Sequence, residues 1–307
     1  MLRSNLSCIW MFLWRKLSFF IQLSPDNMYL QSKQGAKVEL SLFIVFTLIE
    51  ITFCHGAVIR VPGDQPTIQA GLNSAVQGDT ILVAAGVYEE YLTWPQLELL
   101  TLQGENPVDR AIVNPPSEHR CLTYTPDATG SEMFIKNIRF SDSHPYDSGG
   151  ALSIARSNVH IDNCLISESG CTRGGGGVYF KQCIVEIANS TISDCHSVEE
   201  GGGGFFDSCV LNLSDTIIER NDTGGGSYFT SNGLGLYLSN CSGKIEHCII
   251  RDHSDWYFEG AGIYSTGGVD IIGCVFQRNE QWGSDYFSGA LHTGTCLIKD
   301  STQVSHP

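Results

Sequence analysis

Three acidic residues fall at one spacing. Asp142, Glu168 and Asp194 follow one another at intervals of 26, and Arg220 takes the next place at the same step. Asp252 and Arg278 continue the column. Two carboxyl groups about 5–9.5 Å apart are what glycosidic-bond hydrolysis uses, one as acid and the other as nucleophile or base. Stacked carboxylates also repel, so one would hold a proton or a cation such as Ca²⁺ would sit between them. The plainer reading is a solvated row of polar strand ends.

Aromatic residues align as well. Trp256 and Trp282 are 26 apart, and Tyr228–Phe229, Tyr257–Phe258 and Tyr286–Phe287 recur 29 apart. Trp256, Tyr257, Trp282 and Tyr286 could form a platform for sugar rings or a protein contact, or could pack long loops onto a scaffold. His144, His196 and His253 share no metal-ligand spacing and read as surface histidines. The glycine runs Gly174–Gly177 and Gly201–Gly204 precede strand-like segments rather than helices, so they are not phosphate loops.

What positions these columns is a repeat. Phrases starting at Met133, Val159, Val185, Leu211, Gly243 and Val269 carry a small residue at a fixed place: Cys164, Ser190, Thr216, Cys248, Cys274, in steps of 26, 26, 32 and 26. Cys183, Cys209 and Cys241 keep the same steps. A constant period of this size indicates a solenoid. Within each phrase apolar residues alternate, skip and alternate again, as in Val159, Ile161, Cys164, Ile166. Period two means strand, and the skip means a sharp bend at turn formers such as Asp162–Asn163. A third strand precedes each phrase, at Leu152–Ile154, Val178–Phe180 and Leu236–Leu238. Three short strands per coil of about 26 residues predict an all-β right-handed parallel β-helix, with regular coils over about 133–304. The cysteine columns then point inward as core filling, and adjacent members could oxidise if their geometry allowed. Ile68, Leu72, Ala75 and Val76 share a helical face, which predicts an amphipathic helix over about 66–77 covering the raw end of the solenoid.

Residues 40–49, LSLFIVFTLI, follow Lys33 and Lys37 and precede CHGA. This predicts a leader over 1–56, cleaved after Gly56, with Met28 an alternative start and an uncleaved anchor the competing reading. The remaining 57–307 would be one β-helix domain, secreted or at the cell surface in bacterial style, with no membrane span after cleavage. The leader takes five basic and three acidic residues, so the remainder has 13 basic and 30 acidic side chains and a net charge of −17. No basic patch is visible, which argues against nucleic acid, and an anionic polysaccharide would need a bridging cation. Ten cysteines lie beyond residue 56, which in an exported chain suggests disulfides, although their column spacing suggests core positions. Asn189, Asn212, Asn221 and Asn240 begin N-x-S/T sequons. The segment IKDSTQV begins a further phrase shortly before Pro307, which predicts either a missing C-terminal part or an open edge that meets a partner.

The stretch PTIQAGLNSAVQGDTILVAAGVYEE resembles the N-terminal cap and first strand of the pectin-lyase-like superfamily. The GGGGV and GAGI segments with their following NST and NCL phrases resemble secreted right-handed β-helix repeat proteins. The resemblance covers about 58–304 and implies the fold, not an activity, because this fold hosts lyases, hydrolases, esterases and inert adhesins. By analogy with lyases of this fold, Arg220, Arg251 or Arg278 would act as base or substrate clamp. The segment Gly86–Glu90 matches a structural GxYxE of pectin methylesterases, but their QDTL, DFIFG and LGRPW phrases are absent, as are the polygalacturonase NTD, DD and GHG segments. No catalytic residue carries over. These absences favour a non-catalytic scaffold or carbohydrate-binding module over a polysaccharide lyase or glycoside hydrolase using Asp142, Glu168, Asp194 and Arg220. A third reading is a fragment of a larger adhesin. The partner in each case is a polysaccharide or a cell-surface component.

Overall fold

A computed structural model of the chain describes residues 19–23, 28–32, 37–39, 56–116, 118–127, 131–224, 232–256, 261–282, 291–293 and 298–304. The chain divides into two units, Met1–His55 and Gly56–Pro307. In the first, strands Phe19–Leu23, Met28–Ser32 and Lys37–Glu39 form an antiparallel sheet. The apolar run at 40–49 lies outside the described residues. No helix among the described residues is long and apolar enough to cross a membrane.

The second unit is the parallel solenoid. Its three long sheets have ten, nine and eight strands, each strand pairing in parallel with the equivalent one in neighbouring coils. We call them sheets 1, 2 and 3 in the order the chain visits them after the helix. Sheet 1 includes Ser157–Asp162, Ile184–Ala188 and Val210–Ser214. Sheet 2 includes Leu165–Ser167, Thr191–Ser193 and Ile217–Glu219. Sheet 3 includes Val178–Lys181, Gly204–Asp207 and Leu236–Ser239. The register follows the sequence columns: Ile184 opposite Val210, Thr191 opposite Ile217, Val178 opposite Gly204. Strands extend before the regular repeat, to Val58–Val61 in sheet 1 and Gly86–Tyr88 in sheet 2.

Most corners between sheets are built by non-glycine residues in the left-handed conformation, with Gly273 taking that place in one later coil. Asn163, Asn189 and Asp215 have φ near 50° between sheets 1 and 2, and Gln182, Ser208 and Asn240 have φ of 53–57° between sheets 3 and 1. One such residue reverses the in–out parity of the chain, which is the skip in the sequence pattern. Asn and Asp tolerate this conformation best.

Inward positions form one continuous core, with Val159, Ile161, Ile166, Val185, Ile187, Ile192 and their equivalents at 0–1% exposure. At about 1.5–3 kcal/mol per buried aliphatic side chain, the stacked rows carry the stability of the coil. The expected helix is present but shorter, Ile68–Ser74, capped by Thr67 whose hydroxyl accepts from the Ala70 N–H at 3.0 Å. It turns Ile68, Gly71 and Leu72 inward. Val76 is not part of that face: Ala75 is already extended, so Val76 lies beyond the helix and is 58% exposed.

The coil has one more strand than the sequence pattern showed. Between sheets 2 and 3, Gly170–Cys171, His196–Ser197 and Asp222–Thr223 pair in parallel, and Ser254–Trp256 pairs with Glu280–Trp282. Two or three residues per strand are too few to display a period. Glycine follows because the chain must turn back tightly. Gly175 has φ of +81°, and a Cβ there would stand 2.3 Å from the Val178 carbonyl oxygen.

Candidate functional site

The acidic column proves to be the third corner of the coil. Asp142, Glu168, Asp194, Arg220, Asp252 and Arg278 all have φ between 51° and 60°, at the bend from sheet 2 into the short strand. Their side chains project outward and pair. Arg139 Nη2 reaches Glu168 Oε2 at 2.9 Å, and Asn114 Nδ2 donates to Asp142 Oδ2 at 3.2 Å. Arg220 clamps Asp194 with Nε at 2.8 Å and Nη2 at 2.9 Å. Arg278 holds Asp252 the same way, at 2.5 and 2.8 Å. Glu219, at the end of its sheet 2 strand, joins the halves: Arg220 Nη1 lies 2.5 Å from one oxygen, and Arg251 Nε lies 2.6 Å from the other. Arg251 Nε also lies 3.7 Å from Asp252 Oδ2, so Asp194, Arg220, Glu219, Arg251, Asp252 and Arg278 are one connected chain of ion pairs.

Arginines answer the expected repulsion at Glu168, Asp194 and Asp252. Arg220 holds the Asp194 carboxyl below its ordinary range, and Arg278 does the same to Asp252. A general acid needs the opposite shift. Among the described residues, no three His, Cys, Asp or Glu side chains converge to hold a metal ion. The structure brings Asp194 and Arg220 together as partners, and places Asp142 and Glu168 on separate partners of their own.

Of the predicted aromatic platform, Trp256 and Trp282 are in register on adjacent strands. Tyr257 and Tyr286 lie outside the described residues, as do Tyr228, Phe229, Phe258 and Phe287.

A different aromatic row is present on the outer face of sheet 3. Tyr179, Phe205, Tyr237, Tyr264 and His292 stand in register with ring centroids 5.5, 4.9, 5.1 and 4.6 Å apart. They alternate with inward Val178, Phe180, Leu236 and Leu238. Burial pushes the phenols of Tyr179 and Tyr237 upward. The signal was available, because these are the middle residues of the third strand and parity turns them outward. Beside the row, half-buried Glu200 has its carboxyl raised by burial and then by Glu199. One coil apart, His196 Nδ1 and the Asp222 carboxylate are hydrogen-bonded.

The inner columns are more than filling. Each small residue after a corner caps the backbone of its neighbours. The Cys164 N–H donates to Ser190 Oγ at 3.1 Å, the Ser190 N–H to Thr216 Oγ1 at 3.4 Å, and the Cys183 N–H to Cys209 Sγ at 3.4 Å. The nine described cysteines of the solenoid are free and buried. Burial pushes the Cys121, Cys164 and Cys195 thiols up to about 12.

After the third corner the same role falls to Cys195, Asn221, His253 and Asn279. His253 is not on the surface. It is fully buried, accepts the Asn221 N–H at Nδ1 and donates from Nε2 to the Ile218 carbonyl, both at 3.1 Å. Asn221 is 1% exposed and gives its amide to Ile192, which removes its sequon from the surface, whereas Asn189 and Asn240 are exposed corners.

A stacked three-sheet coil with inward ladders and left-handed corners defines a class of protein. The family model for the right-handed β-helix region matches residues 127–302, more than half of the chain, and the chain belongs to that family. A search of curated proteins returns no match to it.

Proposed function

We propose that the protein is a non-catalytic scaffold that displays a binding face to carbohydrate, exported and held at or near a cell surface. One observation carries this reading. Of the carboxylates that could have formed an acid–base pair at the third corner, Glu168, Asp194 and Asp252 are bound to arginines and Asp142 accepts from Asn114, with Asp194 and Asp252 held ionised. The corner is thus a structural ladder. The surplus of acidic side chains keeps the outside negative, which disfavours uncomplexed anionic polymers. The apolar run 40–49 after Lys33 and Lys37, read as part of a leader over 1–56, supports export.

The experiment is a panel of soluble polysaccharides with and without calcium, read for retention of the protein and for new reducing ends or unsaturated uronate. Retention without product supports the reading, and product from any polymer overturns it. A second reading, a glycoside hydrolase or lyase, is favoured by Glu200, whose raised carboxyl lies four residues from the His196–Asp222 pair. Product formation abolished by Glu200→Gln would establish that reading.

A further inference from the structure

We infer that the foot of the aromatic row, at Tyr179, is a subsite for one neutral pyranose unit. This rests on the carbohydrate-binding reading above and says where and what the scaffold binds.

The rings of the row cover one another. Interplanar angles of 27°, 8° and 9° along Phe205, Tyr237, Tyr264 and His292 mean that these rings show only their edges outward. A sugar stacks its C–H face on the open face of an aromatic ring, so the interior of the row offers it nothing. Tyr179 is different. Its register neighbour on the preceding coil is Ser153, and the one before that is Thr123. Among the described residues no ring stacks against the side of Tyr179 opposite Phe205. The outer face of sheet 3 therefore has a step: small hydroxyl side chains up to Ser153, then half-buried Tyr179 as the first ring of the row.

The step is equipped for sugar hydroxyls. Arg120 lies along it, half-buried, with Nε 2.5 Å from the Gly149 carbonyl, Nη2 2.6 Å from the Ser148 carbonyl and Nη1 3.2 Å from Thr123 Oγ1. Those bonds occupy three of the five guanidinium N–H donors. Gly149 closes the link to the ring: a Cβ there would fall 2.8 Å from Tyr179 Cβ. Asp147, exposed beside these carbonyls, caps the Ser148 N–H at 2.8 Å and adds an acceptor. Next to it Tyr146 is 69% exposed, its hydroxyl donating to Glu118 at 2.8 Å. One fixed cation among hydroxyls and two carboxylates, on an acidic chain, selects a neutral sugar over a uronate.

The test is calorimetric titration of the full chain with cellohexaose, mannohexaose and oligogalacturonate. At least one neutral hexasaccharide binds, and Tyr179→Leu weakens it tenfold or more. Ser153→Tyr, which extends the row by one ring and covers the face of Tyr179, weakens it similarly without lowering the melting temperature. Tyr264→Leu, in the interior of the row, leaves the affinity within twofold. Neutral binding that survives both Tyr179→Leu and Ser153→Tyr overturns the subsite while the carbohydrate reading stands. Binding of the uronate alone overturns the neutral class. Absence of binding to all three sugars overturns the subsite, and the polysaccharide panel then decides the broader reading separately.

Discussion

Arg220 lies one coil beyond Asp194 and grips its carboxylate with two donors, Nε at 2.8 Å and Nη2 at 2.9 Å. Both residues stand at left-handed corners, φ 51° and 55°. The corner points the two side chains outward in the same direction, and the coil spacing sets them at ion-pair distance. The pair is a by-product of register, and its energetic weight is set by solvent: the side chains are 49% and 40% exposed. Exposed pairs contribute about 0.2–1 kcal/mol. Asp194→Asn should therefore cost less than about 1 kcal/mol in thermal or urea unfolding, and should leave glycan retention unchanged. The effect should shrink in high salt. Because the Asp194 carboxyl is held low, the pair's contribution is complete above the ordinary aspartate range and fades only as acid protonates it. A large loss of binding in Asp194→Asn would return this corner to the list of sites.

Glu219 should behave differently. Its side chain is 10% exposed, against 49% and 33% for its partners Arg220 and Arg251. Glu219→Gln keeps the shape and leaves two arginines facing one neutral amide. Loss of a partner costs 3–5 kcal/mol in a fully buried pair, and the solvated arginines reduce this to about 2 kcal/mol. Unfolding of Glu219→Gln beside Asp194→Asn measures the contrast, and equal costs would contradict it.

The coil was legible because packing repeats in the sequence whatever packing demands. Cys164, Ser190 and Thr216 recur at 26 because each must fit the same inward slot, and Val159 and Ile161 alternate because each strand has one buried face. The site was less legible for a physical reason. The column from Asp142 to Arg278 looked like chemistry, yet only two properties are common to it: outward direction and a left-handed backbone. Asp and Asn accept that conformation readily, so acids collect there without catalysis. Burial of His253 was also concealed. A histidine four places from Ile249 reads as loop until the left-handed corner at Asp252, just before the short strand Ser254–Trp256, turns it inward. Tyr179 and Tyr237 were visible as strand residues, but their stacking depends on coil register across steps of 26 and 32.

Protonation of His253 should govern acid stability. Burial lowers it from 6.5 to about 4, against weaker opposing contributions from its bonds to the Asn221 and Ile218 backbone and from Asp252 and Glu219. The unfolded chain takes the proton as pH falls through 6.5, whereas the native chain refuses it until about 4. Native stability should then decline across that window, by about 3 kcal/mol at its lower end. Asn221 and Asn279 fill the same slot in neighbouring coils, so His253→Asn should keep the fold and flatten the profile. Melting temperature followed from pH 7 to pH 4 in both proteins tests this, and parallel curves would refute it.

The inner ladder should tolerate exchange among Cys, Ser and Thr and resist removal of the polar atom. Ser190 Oγ accepts the Cys164 N–H at 3.1 Å and donates to the Ala188 carbonyl at 2.7 Å. Ser190→Ala strands the buried Cys164 N–H, at about 1–3 kcal/mol for a group left without a partner, whereas the Ala188 carbonyl keeps the Asn163 N–H at 3.1 Å. Ser190→Cys replaces one ladder member with another and should cost under about 1 kcal/mol. The cysteines of the ladder should be silent in the folded chain. With thiols pushed up to about 12 and no solvent contact, Cys164 and Cys195 should resist iodoacetamide at neutral pH and react only after unfolding. Peptide mapping after native labelling reads this directly. Modification of Cys164 or Cys195 in the folded protein would mean that the coils open, and the ladder would then be a weaker seam than its hydrogen bonds imply.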